Sequence, residues 1–169
     1  MSRNPNAKDL LNPFHFLSLG FGSGLLKPAP GTWGTLAALP IWWFGLAELS
    51  WPIYLLMLLM TFAVGVFLCG YTAKALGTHD HGAIVWDEFV GVWIALALLP
   101  KTWVALLLGF IFFRIFDIIK PYPIKLLDKH VHGGFGIMID DVLAGIFAWI
   151  CVKLCFLAWF FLVAYKITV

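Results

Sequence analysis

Asp87 and Glu88 stand side by side in GAIVWDEFVGVW, residues 82–93, between flanks that are almost wholly apolar. A carboxylate at the edge of an apolar segment is costly unless it is paired, hydrated or bound to a cation, which makes the pair a candidate for chemistry. A second adjacent pair, Asp140 and Asp141, closes HGGFGIMIDD just ahead of another apolar run. With Asp80 and Asp117 these make six acids whose mutual repulsion a hard divalent cation would relieve. Oxygen-only donors without thiolates point to magnesium. Neighbours on a helix differ by about 100° in direction, so one member of each pair is expected to bind directly and the other through water or a cation. Helix capping is the plainer alternative for Asp140 and Asp141.

Arg114, Asp117 and Lys120 follow one another at intervals of three and so share a helix face. Alone, they read equally well as a local ion pair. Beside the carboxylates they read as a metal ligand flanked by two phosphate-binding cations. PAPGTWGT supplies Gly31 and Gly34 with the hydroxyls of Thr32 and Thr35, a turn that can aim backbone N–H groups at an anion or simply cap a helix. Gly133, Gly134 and Gly136 repeat the theme, and neither turn has the Gly-Lys-Ser/Thr ending of a Walker loop. His79, His81, His130 and His132 lie beside these motifs, where a histidine can protonate a leaving oxygen, and His132 is taken as a phosphate-side candidate.

The elements that position these residues are apolar. The 169 residues are 62% hydrophobic and only 12% charged, far from the balance of a soluble domain and consistent with an integral membrane protein. Apolar runs fall at 36–49, 51–70, 89–99, 103–116 and 142–165. They predict an all-α membrane bundle of about five apolar helices forming one domain over residues 1–169. Only the second and last runs approach the roughly 20 residues of a full crossing. KPYPIKLLDKHV sets Ile124, Leu127 and Val131 against Lys125, Asp128 and Lys129, which predicts an amphipathic helix lying in the membrane interface.

If successive runs alternate in direction, PAPGTWGT, the loop from His79 to Glu88, the Arg114–Lys120 end and the Asp128–Asp141 segment reach one face. That face holds seven of the nine acidic residues. It also holds Arg3, Lys8, Lys27, Lys74, Arg114, Lys120, Lys125 and Lys129, so the positive-inside bias makes it cytoplasmic. Lys153 lies about 18 Å along the last helix from Asp141, and is read as snorkelling or as a partner for Glu48.

A net charge of +2 without a basic, aromatic-interleaved run excludes a nucleic-acid binder. Three cysteines in apolar runs, without ligand spacing, argue against both a disulfide framework and a zinc site. Gly20, Gly22 and Gly24 interrupt the N-terminal apolar region, which is read as an interfacial part of the mature chain rather than a signal peptide. A magnesium–carboxylate site with arginine, lysine and glycine turns fits phosphate hydrolysis or transfer on a lipid head group. The motifs of covalent phosphatases and of the CDP-alcohol transferases are absent. An ion transporter using the clustered acids is the alternative. Against it, the acids gather at segment ends and no paired broken-helix repeat is visible. A non-catalytic assembly subunit would not need them.

FGSGLLKPAPGTWGT, HDHGAIVWDEFVG, FRIFDIIKPYPI and DKHVHGGFGIMIDDVLAG, in that order, closely resemble the phosphatidylglycerophosphatase A family over residues 12–145. The resemblance implies a magnesium-dependent enzyme that converts phosphatidylglycerophosphate to phosphatidylglycerol in the bacterial inner membrane. The expected metal site is Asp80, Asp87, Glu88, Asp117, Asp140 and Asp141. Asp87, Glu88, Asp140, Asp141 and Arg114 are the expected catalytic residues. Gly31, Thr32, Arg114, Lys120 and His132 are expected to hold the phosphate.

Overall fold

The computed structural model describes residues 3–78 and 81–168, with side chains as far as residue 163. Among the described residues every regular element is helical. The chain opens with an arm: a 3-10 turn at Ala7–Leu11, helix α1 at Pro13–Ser18 and a second turn at Gly20–Leu25. Arg3 ties it down, pairing with both oxygens of Asp9 at 2.7 and 2.9 Å while its backbone N–H donates to the Leu76 carbonyl at 3.0 Å. His15 of α1 is buried, its Nδ1 2.9 Å from the Thr72 hydroxyl.

Helix α2 covers Pro30–Ile41 with proline at its first position, where the missing N–H costs nothing. Pro40 then removes a donor from the ladder, and the helix loosens into a π turn at Trp42–Leu46 before it stops. Helix α3 runs 26 residues, Trp51–Leu76, and ends on left-handed Gly77. Three further helices follow: α4 at Trp86–Ala95, α5 at Trp103–Ile119 and the short α6 at Ile124–His130. The last, α7, spans Gly133–Thr168.

All five apolar runs are largely helical. Among the described residues two helices are long and apolar enough to cross a membrane: α3, and residues Gly133–Val163 of α7. Only 22% and 11% of their most apolar windows are buried, whereas a core helix of a soluble protein would be mostly covered. The 12-residue α2, 10-residue α4 and 17-residue α5 fall short of a full crossing at about 1.5 Å per residue.

Helix α4 is the core element, with eight of its ten residues buried, and α2, α3, α5 and α7 pack around it. Its indoles also find hydrogen-bond partners: Trp93 Nε1 donates to Ala38 O and Trp86 Nε1 to Thr61 O, both at 3.1 Å. Tyr54 donates to Trp93 O at 2.5 Å. The contacts of Glu88 with Thr35 and Arg114, and of Gly70 with Gly134, bring the starts of α2, α4 and α7 to the end of the bundle where α3 and α5 finish. Helix α6 has Ile124 buried and Lys125, Asp128 and Lys129 exposed, with Leu127 half-buried between them.

The closest approach of α4 and α7 is glycine on glycine. A Cβ on Gly145 would collide with the Gly91 carbonyl and lie 3.1 Å from Ile94 Cβ. Gly145→Leu should therefore prise α7 from the core helix, destabilising the fold by about 1–3 kcal/mol or more. A fall in the unfolding temperature of the detergent-solubilised protein would register it, with Ile146→Leu on an exposed position as the silent control.

Candidate active site

Four elements converge on one guanidinium. Arg114, in the last turns of α5, pairs with Glu88 from the first turn of α4 and, three residues along its own helix, with Asp117 at 2.9 Å. The Thr35 hydroxyl on α2 sits 2.8 Å from Glu88 Oε2 and 2.9 Å from Gly31 O, so its one proton serves either acceptor. Arg114 Nη1 lies 3.4 Å from the same hydroxyl. Asp141 on α7 completes the group, close enough to interact electrostatically with Arg114 and with Asp87, Glu88, Asp117 and Asp140.

Burial gives these contacts their weight. Glu88, Asp140 and Asp141 are 8%, 5% and 3% exposed, so their interactions act in a low-dielectric interior. Glu88 and Asp87 also occupy the first turn of α4, where the helix dipole favours negative charge. Gly31 is required for the fit, since a Cβ there would strike the Glu88 carboxylate and crowd Arg114 Nη1 at 3.2 Å.

Lys120 forms a second node. It caps α5 in a left-handed conformation, φ 45°, and its ammonium bridges Asp140 at 2.5 Å and Asp128 of α6 at 2.7 Å. Burial opposes its charge, but the two carboxylates outweigh that and raise its pKa well above the ordinary lysine range.

The expected site residues thus fall into distinct places. Glu88, Arg114 and Asp117 form one ion-paired group with Asp87 and Asp141 beside it, and Lys120 joins Asp140 at its edge. Thr32 is half-buried in the first turn of α2, its N–H donating to Ala29 O at 3.0 Å. His132 is exposed between α6 and α7, with Nδ1 3.1 Å from His130 O. His79 and Asp80 lie outside the described residues. Thr35 and Asp128 are contacts that motif reading did not single out as site residues. Thr35 lies one helical turn from Gly31, a spacing that could have marked it.

Five carboxylates, Asp87, Glu88, Asp117, Asp140 and Asp141, thus face two cations, Arg114 and Lys120. Among the described residues no three His, Cys, Asp or Glu side chains stand ready as a metal cage. The chemistry of the donor set nonetheless fits a hard cation: all oxygen, three of the five carboxylates buried and two half-buried, and in excess over the neighbouring positive charges.

A family model described as Phosphatidylglycerophosphatase A matches residues 16–156. This chain belongs to that family. Phosphatidylglycerophosphatase A of Escherichia coli is 53% identical over 138 residues, covering 80% of this chain and 78% of its own. The Haemophilus influenzae protein of the same name is 52% identical over 151 residues, covering 88% and 93%. A putative phosphatidylinositol-3-phosphatase of Bacteroides thetaiotaomicron is 39% identical over 144 residues, covering 80% and 89%. No solved structure matches. Membership makes the chain a phosphatase, and the carboxylate–arginine group is its candidate active site.

Thr35→Val removes the hydroxyl between α2 and Glu88 while keeping the side chain's shape. A hydrogen bond to a charged group contributes about 1.5–3 kcal/mol, so both unfolding temperature and turnover should fall, with Thr35→Ser restoring most of each. Equal turnover for Val and Thr would remove this contact from the site.

Proposed function

We propose that the chain hydrolyses the terminal phosphate monoester of phosphatidylglycerophosphate, giving phosphatidylglycerol and inorganic phosphate, with magnesium, at the cytoplasmic face of the bacterial inner membrane. The observation that carries this reading is the buried carboxylate–arginine group at one end of an apolar bundle, in a chain about half identical to two proteins named for that activity. A lipid phosphate stays near the head-group layer, so a phosphatase acting on it must carry its polar site to the rim of the membrane-embedded helices.

Asp87, Glu88, Asp117, Asp140 and Asp141, with Asp80, would hold the magnesium. Bound there, the ion supplies Lewis acidity toward water and the phosphoryl oxygens and offsets the excess of carboxylate charge. Arg114 stabilises charge on the transferring phosphoryl group. Its Nε is buried without a hydrogen-bond partner, leaving a donor for a phosphate oxygen. Lys120 serves the same charge from the α5 cap, and the Gly31–Thr32 turn with His132 lines the phosphate's approach. The reaction is one displacement: a water oxygen bonds to phosphorus and the phosphorus–glycerol oxygen bond breaks. An Asp141 carboxylate oxygen takes the water proton and returns it to the departing glycerol oxygen. Asp87 keeps the attacking water in line.

The ion-transport alternative has less behind it, because the acids form one group at one end of the bundle instead of a line along the helices. The eight basic residues at the site's end of the chain, Arg3 to Lys129, support the cytoplasmic assignment.

Purified protein in detergent should release phosphate from phosphatidylglycerophosphate with magnesium and not with chelator. Asp87→Asn and Asp141→Asn should lower kcat by about a hundredfold or more while remaining folded. No release from folded parent across several lipid phosphates would overturn the reading. In intact cells, a cysteine replacing Lys125 should resist membrane-impermeant maleimides and react after permeabilisation; labelling from outside would reverse the topology.

A further inference from the structure

Helix α4 brings Asp87 and Glu88 to the site but ends after ten residues, inside the packed bundle. The last carbonyls of the helix find partners nearby: Val92 O accepts from the Leu96 N–H, Trp93 O from the Tyr54 hydroxyl and Ile94 O from the Ala97 N–H. The chain then turns through Leu98, φ 54°, and the carbonyls of Ala97 and Leu98 lie in that turn, beyond the helix. Both are taken by α7: Trp149 Nε1 donates to Ala97 O at 2.7 Å and Lys153 Nζ to Leu98 O at 2.9 Å. The lysine also lies over the Trp149 ring, 5.7 Å from its centroid.

Lys153 therefore does not pair with Glu48, which is occupied by Lys101 at 2.6 Å. Its partner is the turn that follows α4. Four α7 residues that meet α4 or that turn recur every four positions. Asp141 O approaches Gly91, Gly145 packs on Gly91 and Ile94, Trp149 holds Ala97 and Lys153 holds Leu98. Recurrence at four keeps them on one stripe of the helix. Contacts advance along both chains together, so α4 and α7 run parallel from the site end. The acids of both helices are thus set at one end of a seam whose other end is fastened by Lys153.

We propose that Lys153, with Trp149, is a positioning residue for the reaction. By holding the carbonyls of the turn that follows α4 it fixes the axial register of α4 on α7, and with it the placement of Asp87 and Glu88 against Asp140 and Asp141. Lys153 touches no reacting atom; Asp141 lies about 18 Å away along the helix. The catalytic half of this inference rests on the proposed phosphatase reaction, whereas the register itself does not.

The test compares parent, Lys153→Met, Lys153→Arg and Trp149→Phe in detergent, using phosphatidylglycerophosphate hydrolysis and hydrogen–deuterium exchange. For Lys153→Met, kcat should fall about ten- to a hundredfold with KM unchanged, as small displacements of reacting groups do. Exchange should accelerate in residues 92–99 and not in α3. Lys153→Arg, which still donates and is still charged, should recover most of kcat, and Trp149→Phe should fall between. Parent-like kcat and parent-like exchange in Lys153→Met would overturn the proposal and leave the lysine a snorkelling side chain. If Lys153→Met does not fold, Lys153→Gln takes its place under the same two criteria. A parent that releases no phosphate would defeat the phosphatase reading, and the exchange comparison would still decide the register.

Discussion

Everything at the working end of this protein depends on holding five carboxyl groups together where the surroundings are largely apolar. Arg114 is the interaction that makes this tolerable. It shares its charge between Glu88 of α4 and Asp117 of α5, touches the Thr35 hydroxyl of α2 and acts on Asp141 of α7. Removing one partner of such a buried group leaves the others uncompensated, a far larger penalty than the net stabilisation of the intact pair. The guanidinium fork can serve several acceptors in fixed directions, which an ammonium cannot.

That constraint explains the shape of the bundle. The site draws Asp87 and Glu88 from the first turn of α4 and Asp140 and Asp141 from about two turns into α7, and the two helices bring them together by running parallel. Parallel neighbours need a return path, and α5 provides it, carrying Arg114 and Asp117 back to the same end. The long helices α3 and α7 present broad apolar surfaces, with Leu56, Leu59, Met60 and Phe67 exposed on one and Leu157, Trp159 and Phe160 on the other. The short helices between them bring Thr35, Glu88, Arg114 and Asp117 to the candidate site, and α7 adds Asp140 and Asp141 from its buried part. A helix that ends inside the bundle can place polar groups there, while a continuous span satisfies its own backbone.

Much of this was legible in the sequence, and the limits are physical. Composition announces an apolar helical protein, and parity with charge placement brings Asp87, Glu88, Arg114, Asp117, Lys120, Asp140 and Asp141 to one end. Crossing count was not legible, because a run of apolar residues looks the same whether it faces lipid or neighbouring helices. Residues 89–99 are apolar since α4 is buried on nearly every side, and residues 36–49 are broken by Pro40 into helix and π turn. Thr35 escaped selection because its partner is 53 residues away. A hydroxyl announces a partner only after folding supplies one.

Lys153 shows the sharpest form of the same limit. Reading side chains against side chains, the nearest suitable partner for a lysine in an apolar helix is a carboxylate, which led to Glu48. Its partner in the structure is a backbone carbonyl, and every residue has one of those. What distinguishes Leu98 O is that α4 ends beside it, a fact about helix length rather than residue type. The cost of placing a cation among apolar helices and the cost of leaving the carbonyls of the turn unpaired are each unfavourable alone. Brought together they offset one another, and the contact ties the end of α4 to α7, the helix that carries Asp140 and Asp141. A charge that looks misplaced in sequence thus has a structural reason, and it lies at the opposite end of α4 from the acids that first drew attention.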